Sequence, residues 1–128
     1  MTKQNAPQER RDDVLVGVLN ALAAAARTIA ETLDLAPLIA WTASGATGLR
    51  IARERAQMPL LSLSPNIATG RRLALVWGVH AVLTEDARDV NDMVERACRH
   101  AYKDGFAKPG QRVLIVAGVP FGTPGATN

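Results

Sequence analysis

Residues suited to holding an anion lie in one seven-residue stretch, Thr42-Ala43-Ser44-Gly45-Ala46-Thr47-Gly48. The stretch follows the apolar residues 37–41 and precedes residues 49–55, which have helical character. A strand, a short turn of Ser, Thr and Gly and then a helix would place backbone N–H groups and hydroxyls at a helix N-terminus. Unpaired amides and the helix dipole both favour a phosphate or carboxylate there. Many α/β proteins cap a helix in the same way and bind nothing at that point.

Other reactive side chains do not form a recognisable site. His80 and His100 have no Asp, Glu or Cys at metal-ligand spacing, and His100 suits the C-terminal end of a helix dipole. Cys98 is the only cysteine, which excludes an intrachain disulfide, and its helical context favours a small buried hydrophobe. Ser44 lacks both the G-x-S-x-G elbow and a matching His–acid pair. We therefore predict no catalytic residue and no metal ligand.

Composition narrows the classes of partner. The 128 residues suit one domain, and the net charge of +3 comes from scattered Lys and Arg with few aromatic residues between them. Arg71 and Arg72 are explained by the end of a helix or by pairing between domains. No apolar run approaches the roughly 18 residues of a membrane span, and the N-terminus has no signal-peptide core. These features predict a cytoplasmic protein with no nucleic-acid or membrane partner.

The chain alternates between helical and strand-like segments. Residues 1–12 are interpreted as a flexible N-terminal segment and residues 13–128 as one domain. After residue 12, apolar residues at helical spacing predict a long helix that ends before Pro37. Its apolar positions are Val14, Val18, Leu22, Ala25, Ile29 and Leu33. The predicted strands are residues 38–42, 60–64, 79–83 and 112–117. The predicted helices are residues 46–56 and 67–75 and a last helix that Asp86 or Asp89 caps and Gly105 ends.

This order predicts an α/β fold. Near-continuous apolar strands separated by amphipathic helices indicate a three-layer α/β/α sandwich around a mostly parallel sheet. The closing residues 118–128 are rich in Gly, Pro and Thr, which suits a shaped loop. We expect a final strand to belong after Asn128 and to be missing from this chain.

In order and spacing, about residues 20–128 closely resemble the C-terminal α/β domain of pyruvate kinases, especially bacterial ones. The matching stretches are Ala30-Glu31-Thr32-Leu33, Trp41-Thr42-Ala43-Ser44-Gly45-Ala46-Thr47, Pro59-Leu60-Leu61-Ser62-Leu63-Ser64-Pro65-Asn66, Arg71-Arg72-Leu73-Ala74-Leu75-Val76-Trp77-Gly78-Val79, Lys103-Asp104-Gly105, Pro109-Gly110-Gln111-Arg112-Val113 and the closing loop.

The resemblance implies a part of an enzyme of glycolysis. Pyruvate kinase transfers a phosphoryl group from phosphoenolpyruvate to ADP with magnesium and usually potassium, on a barrel domain upstream of this one. The present chain has no assembly of carboxylates and cations for that transfer. We therefore expect it to be inactive by itself, with no cofactor of its own and with magnesium and potassium only in the full-length enzyme. The implied partners are the upstream barrel, further subunits of a tetramer and a phosphorylated effector.

The resemblance also implies an effector site. Its first wall would be Thr42, Ser44, Gly45, Ala46 and Thr47, and its second wall Gly122, Thr123 and Gly125 of the closing loop. Three hydroxyls, of residues 42, 44 and 47, and the amides of residues 45 and 46 would give about five donors to one phosphate.

Departures from the family pattern narrow the ligand. Ala43 and Ala46 occupy the loop interior where a basic residue is common, Val119-Pro120-Phe121 replaces a Trp-Arg pair, and Met93 replaces an arginine. With little positive charge left, a monophosphate such as a sugar monophosphate or AMP fits better than a bisphosphate. A structural loop without a ligand stays open as the other interpretation.

Two hypotheses result. The first is a regulatory and oligomerisation domain of pyruvate kinase. The second is a free-standing α/β binding or oligomerisation domain without effector function. Trp77 would be a core or interface anchor in either case.

Overall fold

The computed structural model describes residues 6–117, in which helices and strands alternate. The helices are α1 (Ala6–Thr32), α2 (Ala46–Arg53), α3 (Ile67–Leu73) and α4 (Val90–Lys103). The strands are β1 (Leu38–Trp41), β2 (Leu60–Ser64), β3 (Val79–Leu83) and β4 (Leu114–Ala117). Each predicted strand and helix is present; β2 and β3 have the predicted bounds, and the ends of the other elements differ by a few residues.

The four strands form one parallel sheet in the order β3-β2-β1-β4. Leu38 at the start of β1 pairs with Leu60 of β2 and with Leu114 of β4. Every residue of β1 and β2 is buried, as expected for strands covered on both faces. The α/β sandwich with a parallel sheet is therefore confirmed.

The two faces of the sheet carry separate apolar clusters. On one face, Trp41 and Leu63 pack with Met93, Ala97 and Ala101 of α4. On the other face, the cluster contains Ala23, Ala26, Leu38, Ala40, Ile51, Leu60 and Val116, which places α1 and α2 there. Because alternate residues of a strand point to opposite faces, β1 and β2 contribute to both clusters.

Helix α1 turns its small side chains inward. Ala23, Ala26 and Ala30 are buried, whereas the larger apolar residues of the predicted stripe are exposed, with Val14 at 67%. Small side chains allow a helix to lie close to the layer beneath it, and bulkier residues are then left on the outer side. We call this exposed set the α1 stripe: Val14, Val18, Leu22, Ile29 and Leu33.

The start of α1 differs from the prediction. The helix begins at Ala6, so that residues 6–12, interpreted as part of a flexible segment, have helical backbone. Pro7 is compatible with this because proline is tolerated in the first turn of a helix. The division into a segment of residues 1–12 and a domain of residues 13–128 stays a prediction. Residues 118–128, with their expected loop, lie outside the described residues.

Candidate functional site

The loop between β1 and α2, residues 42–45, lies at the carboxyl end of an inner strand. Trp41, the last residue of β1, is in register with Ala117, the last residue of β4. Ligands of open α/β sheets bind beyond the carboxyl ends of the strands. The loop is therefore at the edge of the sheet where this fold forms binding sites.

The hydroxyl groups of the loop hold its own backbone. The Gly45 amide donates to Thr42 Oγ1 at 2.8 Å, and the Ala46 amide donates to Ser44 Oγ at 3.3 Å. Gly45, the N-cap of α2, has a φ of 94°, a conformation that glycine adopts without strain. Two amides that were expected to serve a ligand are thus already engaged within the loop.

Two amides in the first turn of α2 donate no hydrogen bond to the described residues. Among residues 6–117, the Thr47 and Gly48 amides have no hydrogen-bond acceptor and no side chain caps α2, although both residues are buried. Ser44 is exposed, and its hydroxyl donates to no acceptor in the described part of the chain. The amides without a partner are therefore those of Thr47 and Gly48, further along the chain than the predicted amides of residues 45 and 46.

Helix α3 holds the loop from one side. Thr69 Oγ1 donates to the Ala43 carbonyl at 2.8 Å, and Arg72 Nη2 donates to the Ser44 carbonyl at 2.7 Å. The Asn66 side chain caps α3 by accepting from the Thr69 amide. Sequence reasoning missed both α3 contacts, although positions 66, 69 and 72 recur at steps of three and so share one helix face.

Arg50 lies on the other side of α2. It lines a small cavity with Thr47, with Leu22 of α1 and with Val116 of β4. Among residues 6–117, its Nε atom is buried and has no hydrogen-bond partner. Arg72 of α3 brings a guanidinium group to the Ser44 carbonyl of the loop, whereas Met93 lies in the core. The preference for a monophosphate over a bisphosphate stays a prediction.

The helix α2 approaches the sheet closely at Gly48. A Cβ atom on Gly48 would lie 2.8 Å from Ser62 Oγ of β2, and 3.5 Å from a Leu73 methyl group. The Ser62 hydroxyl is itself buried and has no hydrogen-bond partner in the described part of the chain. Only glycine fits at this position without a shift of its neighbours, so Gly48 allows α2 to lie this close to strand β2.

The remaining candidates do not form a site. Cys98, predicted to be buried, is exposed because Ala97 and Ala101 occupy the buried face of α4. His80 Nε2 lies 3.5 Å from Asp104 Oδ2. No group of three or more acidic, His or Cys residues in the described part of the chain is arranged to hold a metal ion. Trp77 is 70% exposed, with the Arg55 guanidinium 5.1 Å from its ring centre, so it is not a core residue.

Two further observations complete the description. None of the helices in residues 6–117 is both long enough and apolar enough to cross a membrane. The predicted second wall, Gly122, Thr123 and Gly125, lies outside the described residues, so the site residues as a set stay a prediction.

Comparisons with known proteins agree on one family. Residues 20–128 match the model of the pyruvate kinase alpha/beta domain. The chain is 53% identical to pyruvate kinase from Methylorubrum extorquens over 109 residues, which are 85% of this chain and 23% of that protein. It is 38% identical to a pyruvate kinase from Agrobacterium vitis over 109 residues, which are again 85% of this chain and 23% of that protein. It is also 33% identical to pyruvate kinase from Geobacillus stearothermophilus, over 94% of this chain and 20% of that protein. The chain thus spans less than a quarter of the length of these relatives.

Proposed function

This chain belongs to the pyruvate kinase alpha/beta domain family, and from that premise we propose that it is the regulatory and oligomerisation domain of a cytoplasmic pyruvate kinase. The full enzyme would convert phosphoenolpyruvate and ADP to pyruvate and ATP on an upstream barrel, with magnesium and potassium bound there. The present chain would bind a phosphorylated effector at residues 42–47 and perform no transfer by itself.

The first turn of α2 is the observation that supports an effector site. Its Thr47 and Gly48 amides donate no hydrogen bond to the described residues, although both residues are buried, and Ser44 in the preceding loop is exposed. Backbone amides at a helix N-terminus bind phosphate oxygens because the dipole and the hydrogen bonds act in the same direction. A sugar monophosphate or AMP provides one such group, and the Gly122–Gly125 segment would be its second wall.

Calorimetric titration tests the effector site. The chain is titrated with ribose 5-phosphate, glucose 6-phosphate, AMP and fructose 1,6-bisphosphate, and the titrations are repeated with Thr47→Ala. Thr28→Ala is the matched control, because its hydroxyl donates to the Ala24 carbonyl in the exposed part of α1. We expect saturable binding of a monophosphate that weakens only in Thr47→Ala. If no ligand binds to the wild-type chain, it has no working effector site.

The α1 stripe supports the oligomerisation part of the proposal. Four apolar side chains of α1 and Leu33, which directly follows the helix, are each more than 40% exposed, and such surfaces in soluble proteins mark contacts with another protein surface. We expect the chain to self-associate through this stripe. The alternative function, a free-standing binding or oligomerisation domain without an effector, would show the same association and no ligand binding.

Sedimentation tests the association. Leu22→Glu places a charge in the α1 stripe, and Asn20→Glu places the same charge at another exposed position of α1. We expect a larger assembly for the wild type and for Asn20→Glu, and a monomer for Leu22→Glu. A monomeric wild-type chain at all accessible concentrations would refute the role of the stripe.

A further inference from the structure

We propose that an exposed apolar surface at the edge of the sheet where its strands begin is the docking site of the upstream barrel domain. We call it the Trp77 surface and define it by five residues: Arg53, Arg55, Leu75, Val76 and Trp77. The inference rests on the proposed function, in which such a barrel belongs to the same polypeptide. It adds the residues of this chain that would contact the barrel, and it does not depend on the effector site.

The apolar part of this surface is a run of three residues between α3 and β3. Leu75 is 89% exposed and Trp77 is 70% exposed, and Val76 between them is half-buried. The run is a fixed part of the fold, because the Val79 amide donates to the Val76 carbonyl at 3.3 Å where β3 begins. Clustered large apolar side chains on the surface of a soluble domain mark contacts with other protein surfaces. Tryptophan is among the residues most enriched at the centres of such contacts.

Arg55 is held against the tryptophan. Its guanidinium lies 5.1 Å from the centre of the Trp77 ring, which is within cation–π distance. Arg55 directly follows the C-cap of α2 and has a φ of 49°, in the left-handed region where glycine is the usual residue. A residue with a Cβ atom adopts this conformation at a cost in energy, and here the cost places a cation on an exposed ring. Arginine and tryptophan are both among the residue types that dominate the binding energy of interfaces.

A concave region lies beside the ring. It is a cavity of about 340 Å³, lined by Leu49, Ala52, Arg53, Arg55, Val76 and Trp77. Most of this lining is apolar, and Arg53 is exposed at the end of α2. A complementary partner would therefore insert an apolar side chain into the cavity and present a carboxylate to Arg53.

The Trp77 surface lies at the opposite edge of the sheet from the 42–45 loop. Arg55 precedes β2 and Trp77 precedes β3, so both lie where parallel strands begin, whereas the loop follows the end of β1. In the described sheet β3 is also an outermost strand, and α1 packs against β1 and β4. A partner on the Trp77 surface would therefore not need to cover either the loop or the α1 stripe.

The length of the relatives favours one partner for this surface. The chain aligns with 23% of the Methylorubrum pyruvate kinase, so more than three quarters of that protein lie outside the aligned part. Interfaces between domains of one polypeptide are more polar than those of obligate dimers, and a surface that combines Trp and Leu with two arginines is of that kind. A second copy of this chain has the more apolar α1 stripe as its contact surface. We therefore assign the Trp77 surface to the barrel.

Tryptophan fluorescence measures whether the surface is covered. The chain has two tryptophans, of which Trp41 is 3% exposed and Trp77 is 70% exposed, so quenching by acrylamide reports mainly on Trp77. The Trp77→Phe variant gives the contribution of Trp41. Quenching is measured on this chain and on a chimera, the Methylorubrum enzyme with residues 20–128 of this chain in place of its 109 aligned residues. Both proteins are measured with and without Trp77→Phe, and thermal melts establish that each is folded.

We expect the quenching constant of Trp77 to be at least about threefold lower in the chimera than in this chain, because the central residues of an interface are shielded from water. Leu75→Glu should restore the quenching in the chimera, since it places a charge against the barrel. Ile67→Glu is the matched control and should change nothing, because Ile67 is 56% exposed at the other end of α3.

Two results would overturn the assignment. One is a folded chimera in which Trp77 is as accessible as in this chain. The other needs no chimera: if Trp77 becomes protected in this chain as its concentration rises, a second copy covers the surface. Conversion of phosphoenolpyruvate and ADP by the chimera is measured in parallel. An active chimera with an accessible Trp77 refutes the docking site alone, whereas a folded chimera without activity counts against the proposed function.

Discussion

Replacing Gly48 by alanine should destabilise the protein, although alanine is the better helix former. In an unobstructed helix the exchange stabilises by about 0.5–1 kcal/mol. At Gly48 the new Cβ would lie 2.8 Å from Ser62 Oγ in the buried strand β2, so that helix and sheet must separate or the serine must rotate. Such overpacking costs about 1–3 kcal/mol, which offsets or exceeds the gain in helix propensity.

Gly70 in α3 provides the matched control. It is also a helical glycine, but a Cβ there would meet no atom of the described residues within 4 Å. Gly70→Ala should therefore stabilise by about 0.5–1 kcal/mol. The two variants should differ by the overpacking cost, about 1–3 kcal/mol, which is roughly 4–12 °C in Tm for a domain of this size.

Thermal melts and urea unfolding of both variants measure this difference. The Ser62→Ala background removes the obstructing oxygen, so Gly48→Ala should cost less there than in the wild type, as a double-mutant cycle would show. If Gly48→Ala raises Tm as much as Gly70→Ala does, the close approach of α2 to the sheet is refuted. An unchanged effect of Gly48→Ala in the Ser62→Ala background would refute the role of Ser62 Oγ.

Two further predictions concern the loop before α2 and the first turn of α4. Thr42→Val should destabilise by about 1–3 kcal/mol in urea unfolding, because it leaves the buried Gly45 amide without an acceptor; Thr42→Ser, which retains the oxygen, should not. Asp92→Asn should lower Tm at pH 7 and lower it less at pH 3. The hydrogen bond that the Arg88 amide donates to Asp92 lowers the pKa of this carboxyl; burial acts in the opposite direction, and Arg96 lowers the pKa further. The carboxylate therefore stabilises the fold above its unfolded pKa near 3.9. This stabilisation is lost as the pH falls through the lower pKa of the folded protein. An equal loss of Tm at both pH values would contradict this role.

The elements of the fold could be predicted because their signals are local. Strands β2 and β3 have the predicted bounds. Of the two residues predicted as the cap of α4, Asp86 and Asp89, it is Asp89 that caps the helix, and its Oδ1 accepts a hydrogen bond from the Asp92 amide at 2.8 Å. These features depend on runs of apolar residues and on a single capping side chain. The position of the 42–45 loop at the end of β1 followed from the same local pattern.

The surroundings of the loop could not be predicted because they depend on tertiary contacts. Arg72 is 28 residues from Ser44, and nothing in either segment indicates that they meet. The use of the Thr42 and Ser44 hydroxyls as internal acceptors also follows from backbone angles that the residue types permit but do not require. Likewise, the apolar pattern of α1 predicted a helix, but the choice of its alanine side as the inner face depends on the space above the sheet.

The alanine contacts of α1 also divide that helix into two parts with different protection from solvent. Within residues 10–22, the described side chains are exposed except for half-buried Leu19, and burial starts at Ala23. A helix without tertiary contacts is only marginally stable in water, so amide hydrogens should exchange fastest near the start of α1 and progressively more slowly towards Ala30. Contact of another subunit with the α1 stripe would slow the exchange of the first half most, because the burial of Ala23, Ala26 and Ala30 already protects the second half. The amide exchange rates along α1 would therefore measure the fraction of chains in which another subunit covers the α1 stripe.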